Sequence, residues 1–439
     1  MRPSALQKLR AAITRPDTGK AAALGVASIV QNLLALLFTI VFARLLGASG
    51  YGSLAVLVSA YIILMVPGSA LQIAVAREVG GDRGAGHEHA GAGIRRWLTR
   101  LGLATVVVAL AAIPLRSVIG ALINVDDLWG AAAVPVTAML WAILCVERGA
   151  LQGFQRYGAV ALSIVGDAST RIVFALLLFA AGLDVTGAFL GAALGFLAMA
   201  LALLVPLLRE LPAPELDDHH EARLRDLLAG ASAPVIALTL LLAMQELHVI
   251  IVKHEASGDA AGSYAVTAVA AKAIVWIAVG LGMYLVPEAA RRATKAEDAR
   301  AVLLRTLALL AAVGIPMVLV YAVAGRLLIE TVFGEDLTLA TDALPWLGMA
   351  MVFLACSYLA VQYMLALGHS RFILILAVAL TVEVGALVAI GAELTTVALA
   401  MLGVQAVCAG ALLSLALRPA ARESALARPE PERALVMPD

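Results

Sequence analysis

Charge is scarce in this chain. Only 14% of its 439 residues are Asp, Glu, Lys or Arg, and 31 acidic side chains cancel 31 basic ones. A soluble domain carries about 25% charged residues, so the ordinary water-facing surface is missing. The zero balance also removes the usual electrostatic sign of a nucleic-acid binder, and no nucleic-acid partner is expected. There are three cysteines, Cys145, Cys356 and Cys408, all inside apolar runs. They have neither metal-ligand spacing nor loop partners and read as packing residues. Aromatic residues make up 5%. No P-loop (G-x-x-x-x-G-K-[ST]) or H-E-x-x-H motif occurs, which removes two nucleotide and metal chemistries. The loops are mostly too short for a soluble catalytic domain, so no enzyme activity and no cofactor are expected.

What the chain has instead is apolar length. Hydrophobic residues make up 62%, and the mean hydropathy is +0.96. About 20 apolar residues cross a bilayer core as a helix, and helices satisfy their own backbone groups where lipid cannot. Twelve such runs are legible, at 21–43, 53–76, 101–123, 131–149, 158–182, 186–208, 230–252, 264–286, 303–325, 343–366, 371–391 and 394–417. The expected fold class is therefore an all-α integral membrane protein with twelve transmembrane helices. The polar, basic start of the chain precedes a run too long for a signal-peptide core, so the first run reads as a span.

Lys and Arg set the orientation. With the N-terminus inside, the cytoplasmic segments collect 25 of the 31 basic residues, counting Arg148 and Arg156 between spans 4 and 5. External segments hold Arg44, Arg116, Lys253 and Arg326, and two cations, Arg171 and Lys272, fall inside spans. Both termini are expected in the cytoplasm.

The longest polar interruption divides the spans six and six. Residues 1–208 are expected to form a first lobe, 209–229 a cytoplasmic linker, 230–417 a second lobe and 418–439 a disordered cytoplasmic tail. Short echoes support a repeat. Gly153-Phe154-Gln155-Arg156-Tyr157 joins spans 4 and 5, and Gly368-His369-Ser370-Arg371-Phe372 joins spans 10 and 11. Ala48-Ser49-Gly50-Tyr51-Gly52 between spans 1 and 2 is matched by Ala256-Ser257-Gly258 and Gly262-Ser263-Tyr264 between spans 7 and 8. An even number of spans per repeat makes the halves parallel, related by a pseudo-two-fold axis along the membrane normal.

The same junctions carry a family resemblance. Ala43-Arg44-Leu45-Leu46-Gly47-Ala48 with Tyr51-Gly52 resembles the first-loop signature of bacterial polysaccharide exporters, of the multidrug/oligosaccharidyl-lipid/polysaccharide exporter superfamily. Arg148-Gly149-Ala150-Leu151-Gln152-Gly153 with Arg156-Tyr157-Gly158 resembles the family segment after span 4, and Val332-Phe333-Gly334 its turn after span 9. The resemblance implies two six-helix lobes in a V around a central cavity. It implies a flippase that moves undecaprenyl-diphosphate-linked oligosaccharides across the cytoplasmic membrane by alternating access. Partners implied are the lipid-linked sugar, membrane lipids and glycosyltransferases or a polymerase of the same pathway, with the protein itself a monomer. One departure is Glu246, near where the family often has Asp late in span 7. Two alternatives stand beside this reading. A cation-coupled multidrug antiporter would favour an acid-rich, aromatic cavity. A polysaccharide polymerase or ligase would need a large external loop with Arg and His.

Ionisable groups in mid-span are costly and usually face a cavity or a partner. Asp167, Arg171, Glu246, Lys272 and Glu383 fall inside spans. Asp167 and Arg171 are four apart and share a helix face, and Glu246 and Lys272 lie at similar depth on consecutive spans. One reading is that each pair only lowers the cost of insertion. The other is functional. A diphosphate carries about two negative charges and needs cavity-facing cations to cross a low-dielectric region. Arg171 and Lys272, one per half, are the main candidates for that role, with Arg44, Gln31 and Asn32 completing the candidate substrate ligands. Glu383, Asp167 and Glu246 are the candidates to carry a coupling H+ or Na+, and Glu383 has no partner visible in its own span or loop. His248 reads as a packed residue, and Pro67-Gly68 as a kink in span 2.

Overall fold

The computed structural model describes residues 16–81, 87–211, 232–295 and 298–418. The expected linker and tail lie almost wholly outside these residues. All regular structure among the described residues is helical. The α-helices are α1 (Pro16–Leu64), α2 (Val66–Gly81), α3 (His87–Ile123), α4 (Leu128–Gly153), α5 (Tyr157–Leu178), α6 (Asp184–Glu210), α7 (Ser232–Glu255), α8 (Gly258–Thr294), α9 (Arg300–Val332), α10 (Leu344–Ala366), α11 (Phe372–Ile390) and α12 (Leu394–Ala416).

Among the described residues ten helical stretches are long and apolar enough to cross a membrane, and two of them are too long to cross once. Residues 24–80 form a stretch of 57 and residues 157–210 one of 54. At 1.5 Å per residue each would extend about 80 Å, against a hydrocarbon core of about 30 Å. Each is broken where the chain must turn. Gly47 takes φ 64 inside α1. Between α5 and α6 a π-helical turn, Phe179–Leu183, carries Gly182 at φ 85 and ends on Asp184 at φ 40. Ten stretches thus make twelve crossings, as the apolar runs predict. Span 2 is interrupted again at Met65, just before Pro67, whose ring removes a backbone donor and disturbs the preceding turn. Gly68 there lies against Trp141 and Ala142 of α4, close enough that a Cβ would sit 2.8 Å from the indole.

Hydroxyls within the crossings are satisfied locally. Thr39, Thr105, Thr137 and Thr267, for example, each donate to the carbonyl four residues earlier, which satisfies these donors within their own helices. The two junctions that echo one another in sequence hold equivalent places, after α4 and after α10. Their backbones differ: the left-handed residue is Gln155 (φ 62) in the first and Gly368 (φ 76) in the second.

The other pair of echoing segments meets face to face. Gly262, in the first turns of α8, lies so close to the turn after Gly47 that a Cβ would collide with the carbonyl oxygen of Ala48. A Cβ on Gly258 would come within 2.5 Å of Ser49 Oγ. Small residues let helices approach this closely where apolar burial gives no drive to associate. Around this contact Arg44 donates to the carbonyls of Thr331 (2.6 Å) and Val332 (3.1 Å). Asn124 Nδ2 donates to the Lys253 carbonyl at 2.7 Å. The halves are therefore joined tightly on the face that carries Arg44 and Lys253.

Candidate functional site

Beneath that seal, α1, α5 and α6 of the first half and α7 and α8 of the second enclose a cavity of about 200 Å³. Its wall is mostly apolar and aromatic, with Tyr51, Tyr61, Phe189 and Trp276 among the lining residues. Its charged lining residues are Arg171, Glu246 and Lys272. The two cations that the sequence places in separate halves thus share one chamber.

Their surroundings differ. Lys272 Nζ donates to Glu246 Oε2 at 2.7 Å, and the same oxygen accepts from Ser59 Oγ of α1 at 2.7 Å. Gln245 Nε2 donates to the other oxygen at 3.0 Å. Glu246 and Lys272 are 1% and 7% exposed, so the lysine charge is matched within the wall. The Ser59 bond is also a link between the halves inside the membrane.

Arg171 is more open. Its side chain is 22% exposed and reaches Asp167 only at 3.9 Å. Its guanidinium lies 5.1 Å from the Phe196 ring centroid, a favourable cation–π placement. Its Nε is buried without a hydrogen-bond partner. A guanidinium has five N–H donors, and much of that capacity is unspent here.

Asp167 gives its main bond elsewhere. Arg148 Nη2 donates to Asp167 Oδ2, and Arg148 also donates to Ser163 through Nε (2.9 Å to Oγ) and Nη2 (2.8 Å to the carbonyl). Arg148 is 2% exposed. Counted by sequence with the cytoplasmic basic residues, it is packed inside the protein rather than exposed in a loop. Glu147 beside it is equally buried, with Oε2 unpartnered. A usable signal was present. Only residues 154–156 separate α4 from α5, so a residue five before the end of the hairpin's first arm faces one near 163 on the second. Gln31 Nε2 reaches Asp167 Oδ1 at 3.5 Å, behind the cavity wall.

The remaining predicted residues are not in the chamber. Asn32 is exposed and does not line the chamber. Arg44 serves as a cap on the C-terminal carbonyls of α9, where a cation also suits the helix dipole. Glu383 is 1% exposed and lies within the second half, where Gln405 Nε2 of α12 donates to its Oε2 at 2.7 Å. Near it His248 Nδ1 and Tyr264 Oη are 2.9 Å apart. Among the described residues no group of three or more His, Cys, Asp or Glu is placed to hold a metal ion.

Comparison with known proteins adds the following. A family model described as polysaccharide biosynthesis protein matches residues 18–291. No curated protein matches significantly. Among solved structures, an inward-facing multidrug resistance MATE family transporter of the MOP superfamily superposes with a TM-score of 0.74 at 12% identity, covering 90% of this chain and 97% of its own. The lipid II flippase MurJ in an inward closed conformation gives 0.72 at 11% identity, with 89% and 87% covered. An outward-facing MATE family transporter gives 0.61 at 12% identity, with 90% and 93% covered. The fold is that of the MOP superfamily, whose members have two lobes of six helices.

Proposed function

The chain belongs to the polysaccharide biosynthesis protein family, and from that membership we propose that it flips polyprenyl-diphosphate-linked oligosaccharides, of the undecaprenyl type, from the cytoplasmic to the outer leaflet. The observation that carries this reading is the shared chamber: Arg171 from the first half and Lys272 from the second line one cavity between them. The charge count fits an anionic head group. Two cations, Arg171 and Lys272, line the chamber against one carboxylate, Glu246, and Arg171 keeps unspent donors. A cationic drug would meet that excess of positive charge.

The cycle follows from the contacts. The Arg44 face is closed by Ala48, Gly258 and Gly262. The excess of Lys and Arg in the segments assigned inside supports a cytoplasmic opposite face, and in this scheme substrate enters from there. A chamber of about 200 Å³ holds a diphosphate but not a sugar chain, so loading widens it. A diphosphate at Lys272 competes with Glu246, which also holds Ser59 of the other half. Substrate arrival thereby weakens a link between the halves and favours reopening on the outer face. Glu383, held by Gln405 apart from the chamber, carries the coupling proton or sodium ion in this scheme. The protein acts as a monomer in the cytoplasmic membrane, fed by glycosyltransferases and drained by a polymerase.

The test uses the full chain in vesicles loaded with a fluorescent polyprenyl-diphosphate disaccharide. Protection from a membrane-impermeant reagent should change with time only in vesicles that hold the protein. Transport of a cationic dye with no movement of the lipid would contradict the proposal and favour the drug antiporter.

A further inference from the structure

A second, larger recess lies on the outer surface of the first half. It has a volume of about 570 Å³ and runs between α3, α4 and α6. Its walls are Ile113 of α3 and Leu190 of α6, and its floor is kept low by Ala132 and Val136 of α4 and Ala193 of α6. It is separate from the central chamber: Ala192 lines the chamber and its neighbour Ala193 lines the recess. Along α3 the flanking Val107, Leu110, Val118 and Leu122 are all exposed and, in a bilayer, face acyl chains.

The mouth of this groove is charged with both signs. Arg116 holds its guanidinium 4.7 Å from the ring centroid of Trp129, which lines the groove and is 56% exposed. Asp127 stands at the N-terminus of α4, yet its side chain caps no backbone N–H. Asp127 and Thr186 flank Gly130 at the head of the groove, where a Cβ on Gly130 would lie 3.7 Å from Asp127 Cβ and 3.6 Å from Thr186 Oγ1. Partial burial, and then the charges of Asp126 and Asp184, push the Asp127 carboxyl above its usual range, while Lys253 of α7 opposes them. A cation beside Asp127 would relieve that strain.

We propose that this groove binds a membrane phospholipid whose head group carries both a phosphate and an ammonium, with one acyl chain along α4, the phosphate at Arg116 and the ammonium toward Asp127 and Asp184. Electrostatics select this occupant over two others. A polyprenyl diphosphate would bring about two negative charges to a mouth where Asp126, Asp127 and Asp184 already outnumber Arg116 and Lys253. An anionic phospholipid would satisfy Arg116 and leave the carboxylates unrelieved. The zwitterion matches both signs, and its acyl chain suits an apolar groove with an aromatic residue at the interface.

The full-length protein in detergent can be titrated with phospholipids carrying brominated chains, reading the quenching of Trp129 as the difference from Trp129→Phe. Brominated phosphatidylethanolamine should reach half-quenching at a concentration about fivefold lower than brominated phosphatidylglycerol, the scale of one exposed charge contact. Arg116→Gln should weaken binding of both lipids, whose phosphates it contacts alike, and Asp127→Asn should reduce the preference to about twofold or less. Ala132→Phe, which fills the groove, should abolish it, and gel filtration of each variant reports whether it is folded. Equal quenching by both lipids in the unaltered protein would overturn the proposal. So would a preference for phosphatidylglycerol or a polyprenyl phosphate, or a preference that survives in folded Asp127→Asn and Ala132→Phe.

Discussion

Removing the negative charge of Asp167 while leaving Arg148 in place should destabilise the first half. Both side chains lie out of solvent, at 2% and 0% exposure. Breaking a buried pair by removing one partner costs about 3–5 kcal/mol, because the charge left behind is uncompensated. The structure puts Asp167→Asn toward the lower end of that range. Arg148 keeps its two bonds to Ser163, and the amide oxygen can still accept one. The pair itself contributes little beyond its own desolvation, so Arg148→Met with Asp167→Leu should fall within about 1 kcal/mol of the unaltered protein. Thermal unfolding in detergent, followed by loss of the monodisperse peak, measures both variants. An Asp167→Asn protein as stable as the original would refute the reasoning. A double variant as unstable as the single one would also refute it, because the loss would then be one of packing.

Other outcomes follow from the same contacts. Cysteines at Ser49→Cys and Gly258→Cys should cross-link readily, and adding Gly262→Val should abolish the cross-link, because a side chain there collides with the Ala48 carbonyl. Arg44→Ala should raise solvent access to the same cysteines about twofold to fivefold, the scale of a screened helix-terminus contact. Glu383→Gln should remove the dependence of transport on pH or sodium while leaving binding of the lipid-linked sugar intact; dependence that survives would remove Glu383 from the coupling role.

The fold was largely legible in the sequence because lipid imposes a short list of solutions. A run of apolar residues must be helical, must have a certain length, and must end near charge. The two merged stretches show this: Gly47 and Gly182 are poor helix formers but two among 37 glycines, and it is membrane thickness that requires a turn close to each. The shared chamber was half legible. Arg171 and Lys272 stood out because an isolated cation in an apolar run is rare. Arg148 did not, because it sits one residue from the end of its run, where a charge is ordinarily solvated. Gln405 was overlooked beside Glu383 because a neutral amide in span 12 attracts no notice until its helix phase is known. The three-residue turn 391–393 places it within one helical turn of the position facing Glu383. Asn32 and Arg44 show the reverse limit, since residue type alone does not say which side of a helix faces lipid or which loop folds over a neighbour.

The central claim is that one cation from each half takes the diphosphate in a common chamber. It is tested most directly by rates of flipping in vesicles for Arg171→Gln, Lys272→Gln and the double variant, set beside their thermal stability. Each single change should slow flipping at least about tenfold, the scale of a lost charge-assisted hydrogen bond. Arg171→Gln should do so with little change in stability, because Arg171 is only loosely paired. Flipping at the original rate in the folded double variant would contradict the account.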